Sequence, residues 1–208
     1  MKIGILGGTF DPPHIGHLNI SLEAIKRFQL NKVIWLVTKK NPLKKSNSVN
    51  DISNRIKLCN HFIKKNKNII KVQYTEEETG SNFLFDNINY IINKSADHKY
   101  YFIMGADSFV KFNQWKKYNE ILNKLSIIVM SRPEFSMKSL NSIAAKKLEK
   151  YKSLNLVSKD KQHRWYFLST KGMNASSSKI KKINLSFRRN MVLKIYVMDL
   201  FIFLPITN

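Results

Sequence analysis

Residues 3–17 read Ile3-Gly4-Ile5-Leu6-Gly7-Gly8-Thr9-Phe10-Asp11-Pro12-Pro13-His14-Ile15-Gly16-His17: a short apolar run, a pair of glycines, then two imidazoles three residues apart. Ile3 to Leu6 reads as a strand, and the chain from Gly7 onward reads as the loop at its carboxyl end. Gly7 and Gly8 let the backbone come close to a ligand, and a helix opening near His14 would aim free amide groups and a positive dipole end into the same space. That combination favours a phosphate. On a helical first turn His14 and His17 share a face that Gly16 leaves uncrowded, so both rings can donate to one polyphosphate. Two unrelated surface histidines are the bland alternative. The spacing is not the Gly-x-Gly-x-x-Gly dinucleotide fingerprint, and no Gly-Lys-Ser/Thr is present, which disfavours a dehydrogenase and a P-loop kinase.

Further apolar runs recur along the chain at Val33–Val37, Ile69–Tyr74, Tyr100–Met104, Ile127–Met130 and Trp165–Leu168. They are β-branched or aromatic and continuous rather than alternating, as in strands buried on both faces of a parallel sheet. Between them, Leu18–Phe28 puts Leu18, Leu22, Ile25 and Phe28 on one helix face, and Ile52–Ile63 does the same with Ile52, Ile56, Cys59 and Ile63. Strand alternating with helix predicts an α/β fold, a doubly wound parallel sheet with right-handed crossovers, in a single domain over 1–208. Such sheets bind ligands outside the carboxyl ends of their strands, where strand order reverses. The segments expected there carry Gly7–His17, then Lys39–Lys44, Glu76–Gly80, Gly105–Phe109, Ser131–Pro133 and Ser176–Lys179. Glycine, imidazole, lysine, carboxylate and hydroxyl collect at one edge.

Composition bounds the partners. The 208 residues include 36 Lys plus Arg against 14 Asp plus Glu, a formal charge of +22, with 43% hydrophobic residues, which describes a globular chain and not a disordered polycation. The lysines are scattered beside asparagines, without an arginine-rich or Gly-Arg segment, so the charge predicts attraction of small anions and no specific nucleic-acid partner. Cys59 is the single cysteine. It can form no intramolecular disulfide, and no Cys/His grouping has zinc-site spacing, so a reducing cytoplasm and no protein-held metal are expected. The opening apolar run is too short for a signal peptide, and Val192–Ile206 is broken by Lys194, Asp199 and Pro205, so no membrane partner is expected either.

Residues 7–17, Gly-Gly-Thr-Phe-Asp-Pro-Pro-His-Ile-Gly-His, resemble the signature of the HxGH nucleotidyltransferase superfamily, and Ala-Ser-Ser-Ser-Lys-Ile-Lys at 175–181 is similar to its second motif, usually Ile-Ser-Ser-Thr-x-Ile-Arg. Gly105–Trp115 resembles the Gly-x-Asp…Trp segment of bacterial nicotinate-nucleotide adenylyltransferases, and Asn-Pro-Leu-Lys and Ser-Arg-Pro fall where that family has them. The resemblance covers roughly residues 1–183 and implies a Rossmann-like nucleotidyltransferase fold. It also implies transfer of AMP from ATP to nicotinate mononucleotide, in NAD biosynthesis. Other HxGH adenylyltransferases, acting on nicotinamide mononucleotide or phosphopantetheine, are the alternative. A non-catalytic basic RNA-binding protein is the remote one.

By that resemblance His14 and His17 are catalytic, holding ATP phosphates with His17 at the α-phosphate. Gly7, Gly8, Thr9, Phe10, Gly105 and Asp107 also line the ATP side, with Asp107 taking ribose hydroxyls. Ser177 and Ser178, opening a helix, offer hydroxyls and amides to the outer phosphates, and Lys181 adds a closing charge. On the acceptor side, Trp115 would stack on the pyridine ring, Lys44 would meet a phosphate, and Thr79, Gly80, Phe83 and Arg132 would complete the pocket. Trp115 could equally belong to a core stripe with Phe109, Phe112 and Tyr118, and Arg132 could pair with an acid. Magnesium is expected with ATP, held by phosphate and water. The acidic run Glu76–Glu78 is expected to face solvent or lysines. Three departures stand out: Ser178 for Thr, Lys181 for Arg, and Phe83-Leu84 for the family's Tyr-Thr, which leaves carboxylate recognition to backbone amides near Thr79 to Asn82. The tail after Phe187 matches no closing helix of the family, and a core contact, a homo-oligomer contact and a degraded end stay open for it.

Overall fold

The computed structural model describes residues 1–39, 51–132, 134–153 and 163–169. Its chain order is β1 (Lys2–Gly8), α1 (Ile15–Phe28), β2 (Lys32–Val37), α2 (Ile52–Phe62), β3 (Ile70–Gln73), α3 (Glu76–Thr79), α4 (Leu84–Asn93), β4 (Lys99–Gly105), α5 (Ala106–Phe109), α6 (Tyr118–Lys124), β5 (Ser126–Met130), α7 (Ser136–Leu140), α8 (Ile143–Lys147), β6 (Lys152–Ser153) and β7 (Trp165–Leu168). The strands form one sheet in the order β3-β2-β1-β4-β5-β7-β6. Every pairing is parallel, with Ile5 opposite Ile34 on one side and Phe102 on the other. The six strands expected from continuous apolar runs are all present, each within two residues of its expected ends, and the two-residue β6 is additional.

Successive residues of these strands feed opposite cores, which is why the runs are continuous rather than alternating. Ile5, Phe102, Met104, Ile127 and Val129 meet Ile88 and Ile91 of α4, Ile121 and Leu122 of α6, and Ala144 of α8. Leu6, Val33, Trp35, Ile103 and Ile128 meet Ala24 and Phe28 of α1 and Cys59 and Ile63 on α2 and its cap. Helices α1 and α2 therefore cover one face while α4, α6 and α8 cover the other, and the winding reverses between β1 and β4. That reversal opens a crevice beyond the ends of β1 and β4, at Gly8 and Gly105.

The α1 face is rotated from its sequence reading, whereas the four residues expected on the α2 face, Ile52, Ile56, Cys59 and Ile63, all meet the core. On α1 the fully buried residues are Ser21, Ala24 and Phe28, with Leu18 and Ile25 packed alongside and Leu22 only half-buried. Small side chains let α1 lie close to β2: the Trp35 indole donates to Ser21 Oγ at 2.9 Å, and Ser21 donates to the His17 carbonyl at 2.8 Å. On α2 the buried residues are Arg55 and Cys59, with Ile52 and Ile56 at the margin.

Candidate active site

The site begins where β1 ends. Gly7 and Gly8 leave room for aromatic rings: a Cβ at Gly7 would lie 3.2 Å from the Phe102 ring, and one at Gly8 would lie 3.3 Å from Phe10. Phe10 adopts φ 45°, a conformation uncommon for a bulky residue, and the Asp11–Pro12 peptide is cis. The Phe10 ring is 1% exposed, stacked on Trp35 with centroids 4.9 Å apart and 4.7 Å from His17. The ring is therefore part of the core.

His14 is the N-cap of α1 and His17 its third residue, and the two close a reciprocal capping box. The Gly16 N–H donates to His14 Nδ1 at 3.1 Å, and the His14 N–H donates to His17 Nδ1 at 3.2 Å. With both Nδ1 atoms accepting, each neutral ring carries its proton on Nε2. The ring centroids are 3.8 Å apart. Burial, and next the positive charge of Arg132, pull the His14 pKa down to about 4, so this imidazole is neutral at physiological pH. The expected shared face is thus realised with one difference: His14 precedes the helix and caps it.

Beyond β4, Gly105 opens α5, and a Cβ there would collide with the Asp107 carboxylate. Asp107 Oδ2 accepts from Arg132 Nη1 at 2.7 Å, each side chain about one-third exposed. Asp107, expected on ribose, and Arg132, expected on the acceptor, meet each other because the ends of β4 and β5 are adjacent in the sheet, which realises the alternative that Arg132 pairs with an acid. The pair bridges these strand exits beside His14.

Trp115 is half-buried and meets Phe112 at 5.4 Å and Phe102 at 6.1 Å, both edge-on. It ends the aromatic stripe of Phe109 and Phe112 while lying near Gly7 through Phe102. Phe83 is 37% exposed, with the Lys116 ammonium 3.9 Å from its ring centre, and Leu84 packs at the core margin near Gly7. The Thr79 hydroxyl lies 2.9 Å from the Thr75 carbonyl and 3.1 Å from Asn87 Oδ1 of α4, and it accepts from the Ser81 N–H, so it is engaged by its own turn and by α4. Gly80 ends α3 at φ 60°. Glu77 and Glu78 are exposed as expected. Glu76 is not: it is buried and accepts from the Lys39 N–H at 3.0 Å, and burial raises its pKa. Lys44, Ser177, Ser178 and Lys181 lie outside the described residues, as does the apolar tail.

Sequence reading missed Arg55. Its place was legible, since 55 lies three after Ile52 and four before Cys59 on the apolar face, but its charge argued for solvent. It is 1% exposed, and it shifts nothing into reactivity at neighbouring Cys59, whose thiol burial pushes up to about 12. Among the described residues no helix is long and apolar enough to cross a membrane.

This arrangement, a phosphate-type turn and paired imidazoles at the switch point of a doubly wound parallel sheet, defines a nucleotidyltransferase, and residues 5–183 match the Cytidylyltransferase-like family. Among curated relatives, a protein of Pelagibacter ubique named "Probable nicotinate-nucleotide adenylyltransferase" is 43% identical over 88% of this chain and 93% of its own length. One of the same name from a Bradyrhizobium strain is 33% identical over 87% and 95%. The chain belongs to the nicotinate-nucleotide adenylyltransferase family. The fold is shared with the Plasmodium falciparum nicotinic acid mononucleotide adenylyltransferase solved with NaAD, at TM-score 0.66 and 17% identity over 87% of this chain and 82% of that one.

Proposed function

We infer that the protein transfers AMP from ATP to nicotinate mononucleotide, giving nicotinate adenine dinucleotide and pyrophosphate, a step of NAD biosynthesis. The observation that carries this reading is the His14–His17 capping box at the exit of β1. It supports donation from two Nε2–H groups into the crevice between β1 and β4. A phosphate oxygen of the acceptor attacks the α-phosphorus, the bond to the bridging oxygen of the β-phosphate breaks in line, and pyrophosphate leaves. No protein nucleophile is needed. Catalysis is positioning and stabilisation of charge developing on the α-phosphate and leaving group. His17 serves the α-phosphate and His14 its neighbour, while Gly7, Gly8 and the Thr9–Phe10 backbone leave space and offer amides.

Ser177, Ser178 and Lys181 hold the outer phosphates, and Lys44 meets an acceptor phosphate. Trp115 offers the pyridine its free face, and the amides around Gly80 take the carboxylate. Asp107 and Arg132 act as one unit at the crevice rim, either exchanging their mutual bond for substrate or sharing it. Magnesium carried on ATP would offset charge on the leaving pyrophosphate. Among the described residues no group of three or more His, Cys, Asp or Glu is placed to hold a metal. The buried thiol of Cys59 suits a reducing cytoplasm.

The test is pyrophosphate release with ATP, magnesium and a panel of nicotinate mononucleotide, nicotinamide mononucleotide and phosphopantetheine. Nicotinate mononucleotide should be preferred over its amide by about tenfold or more in kcat/KM, a difference of about 1.4 kcal/mol. Equal use of the two would deny a nicotinate-specific pocket, as Leu84 in place of a hydroxyl residue would permit. Release only with phosphopantetheine, or with none, would overturn the reading.

A further inference from the structure

Arg55 is a cation with no aqueous surface and, among the described residues, no carboxylate within ion-pair distance. Burying such a charge is costly unless every donor is met. Here the partners are backbone carbonyls. Nη1 donates to the carbonyls of Thr9 and Thr38, both at 2.7 Å, Nη2 to that of Lys39 at 3.1 Å, and Nε to that of Asp51 at 3.3 Å. One planar fork in the first turn of α2 thus ties together the exits of β1 and β2. The Thr38–Lys39 peptide group is gripped from two directions, since its carbonyl accepts from Arg55 and its N–H, that of Lys39, donates to Glu76. The Thr38 N–H adds a direct bond to the Gly8 carbonyl at 2.9 Å.

The Thr9 contact has a directional consequence. The Thr9–Phe10 peptide is trans, so its N–H points opposite to its C=O. With the carbonyl drawn toward Arg55 and the β2 exit, the Phe10 N–H is turned away from them; β4 and the crevice lie on the other side of β1. Phe10 then takes φ 45°, which a phenylalanine holds only where its surroundings over-determine it. The surroundings here are the ring stacked on Trp35 and the guanidinium on the preceding carbonyl.

We propose that Arg55 is a positioning residue for adenylyl transfer: its guanidinium, bonded to the carbonyls of Thr9, Thr38 and Lys39, sets the orientation of the phosphate-binding turn and joins it to the β2 exit. It touches no substrate and acts through the turn's backbone. Lysine cannot replace it, because a single ammonium lacks the fork that spans three carbonyls.

The kinetic arm rests on the proposed function, and a binding arm with inorganic tripolyphosphate does not. In Arg55→Lys, kcat at saturating ATP and nicotinate mononucleotide should fall about tenfold or more while the KM for nicotinate mononucleotide stays within about threefold. Calorimetric affinity for tripolyphosphate should fall about fivefold or more. Asp51→Ala is the control: it removes the carboxylate that caps α2 by accepting from the Asn54 N–H, and leaves Arg55 in place. It should lower Tm yet keep kcat within about twofold. Wild-type kcat and tripolyphosphate affinity in Arg55→Lys, or an equal kcat loss in Asp51→Ala at matched Tm, would overturn the proposal. A wild-type enzyme that adenylates no acceptor, with the tripolyphosphate loss intact, would sink the functional reading and leave Arg55 standing. Should Arg55→Lys not fold, native-state hydrogen exchange of the wild type decides. The Thr38 and Arg55 amides should open with one free energy, and earlier opening of Thr38 would show that the exits are not held by this side chain.

Discussion

A single ring, His17, carries the sharpest expectation for chemistry. Its Nδ1 accepts from the His14 N–H, and in the proposed reaction its Nε2–H would donate to a phosphate whose charge grows in the transition state. Loss of one such preorganised donor typically costs on the order of a hundredfold to a thousandfold in kcat, so His17→Ala should lose that much with a far smaller change in ATP affinity. Turnover within about threefold of wild type at saturating ATP would remove His17 from the mechanism. His14 adds a pH signature. Its pKa falls from an ordinary 6.5 to about 4 in the folded protein, so the unfolded chain takes up a proton first as pH drops. Stability from this group is whole above pH 6.5, declines between 6.5 and about 4, and levels off below, an interval equivalent to about 3 kcal/mol. Urea midpoints at pH 7.5 and pH 5 should show the loss in wild type and a smaller one in His14→Asn, which keeps a capping side chain but cannot titrate. Equal losses would show that other groups dominate the acid limb.

Elements differ in how much of their placement the sequence displays. In α1, Ser21→Ala leaves the fully buried Trp35 indole N–H without its acceptor and should cost about 1–3 kcal/mol, read as a lower Tm, with kcat little changed. Unchanged stability would mean that the indole finds another acceptor. That bond also explains why the α1 face was misread. Hydrophobicity pointed to Leu22, whereas the helix approaches β2 through Ser21 and Ala24, and a serine on a core face advertises itself only when its partner is known. Strands were legible for the converse reason: being buried on both sides, they admit little but apolar residues, as Val33 to Val37 illustrates. The two residues of β6 carry no pattern long enough to register. At the site, the glycines and histidines were visible because they are adjacent in sequence. Arg55, Glu76 and the Asp107–Arg132 bond were not, since each joins loops 25 to 46 residues apart and is created by strand order.

For the whole molecule the dominant quantity is the charge of +22, carried by lysines spread along the chain. A field of that sign raises the local concentration of small anions at any crevice with low-dielectric walls, and the crevice beyond β1 and β4 is closed behind by two apolar cores. Both substrates are anions. Their capture should therefore weaken with added salt, while the bound-state chemistry, governed by contacts shorter than a Debye length, should not. The expected outcome is a KM for ATP and for nicotinate mononucleotide that rises about threefold or more between roughly 20 and 300 mM salt, at nearly constant kcat. A polymer-binding role predicts something different. Scattered charges give a duplex or an RNA many weak contacts, each losing its counterion-release advantage as salt rises, so binding should be gone by physiological ionic strength. Retention of RNA at that salt, unaltered in His17→Ala, would assign the charge to a nucleic-acid partner. Salt-independent KM values with no RNA retention would leave the lysines without a role in capture, and the crevice would then have to draw its substrates by local contacts alone.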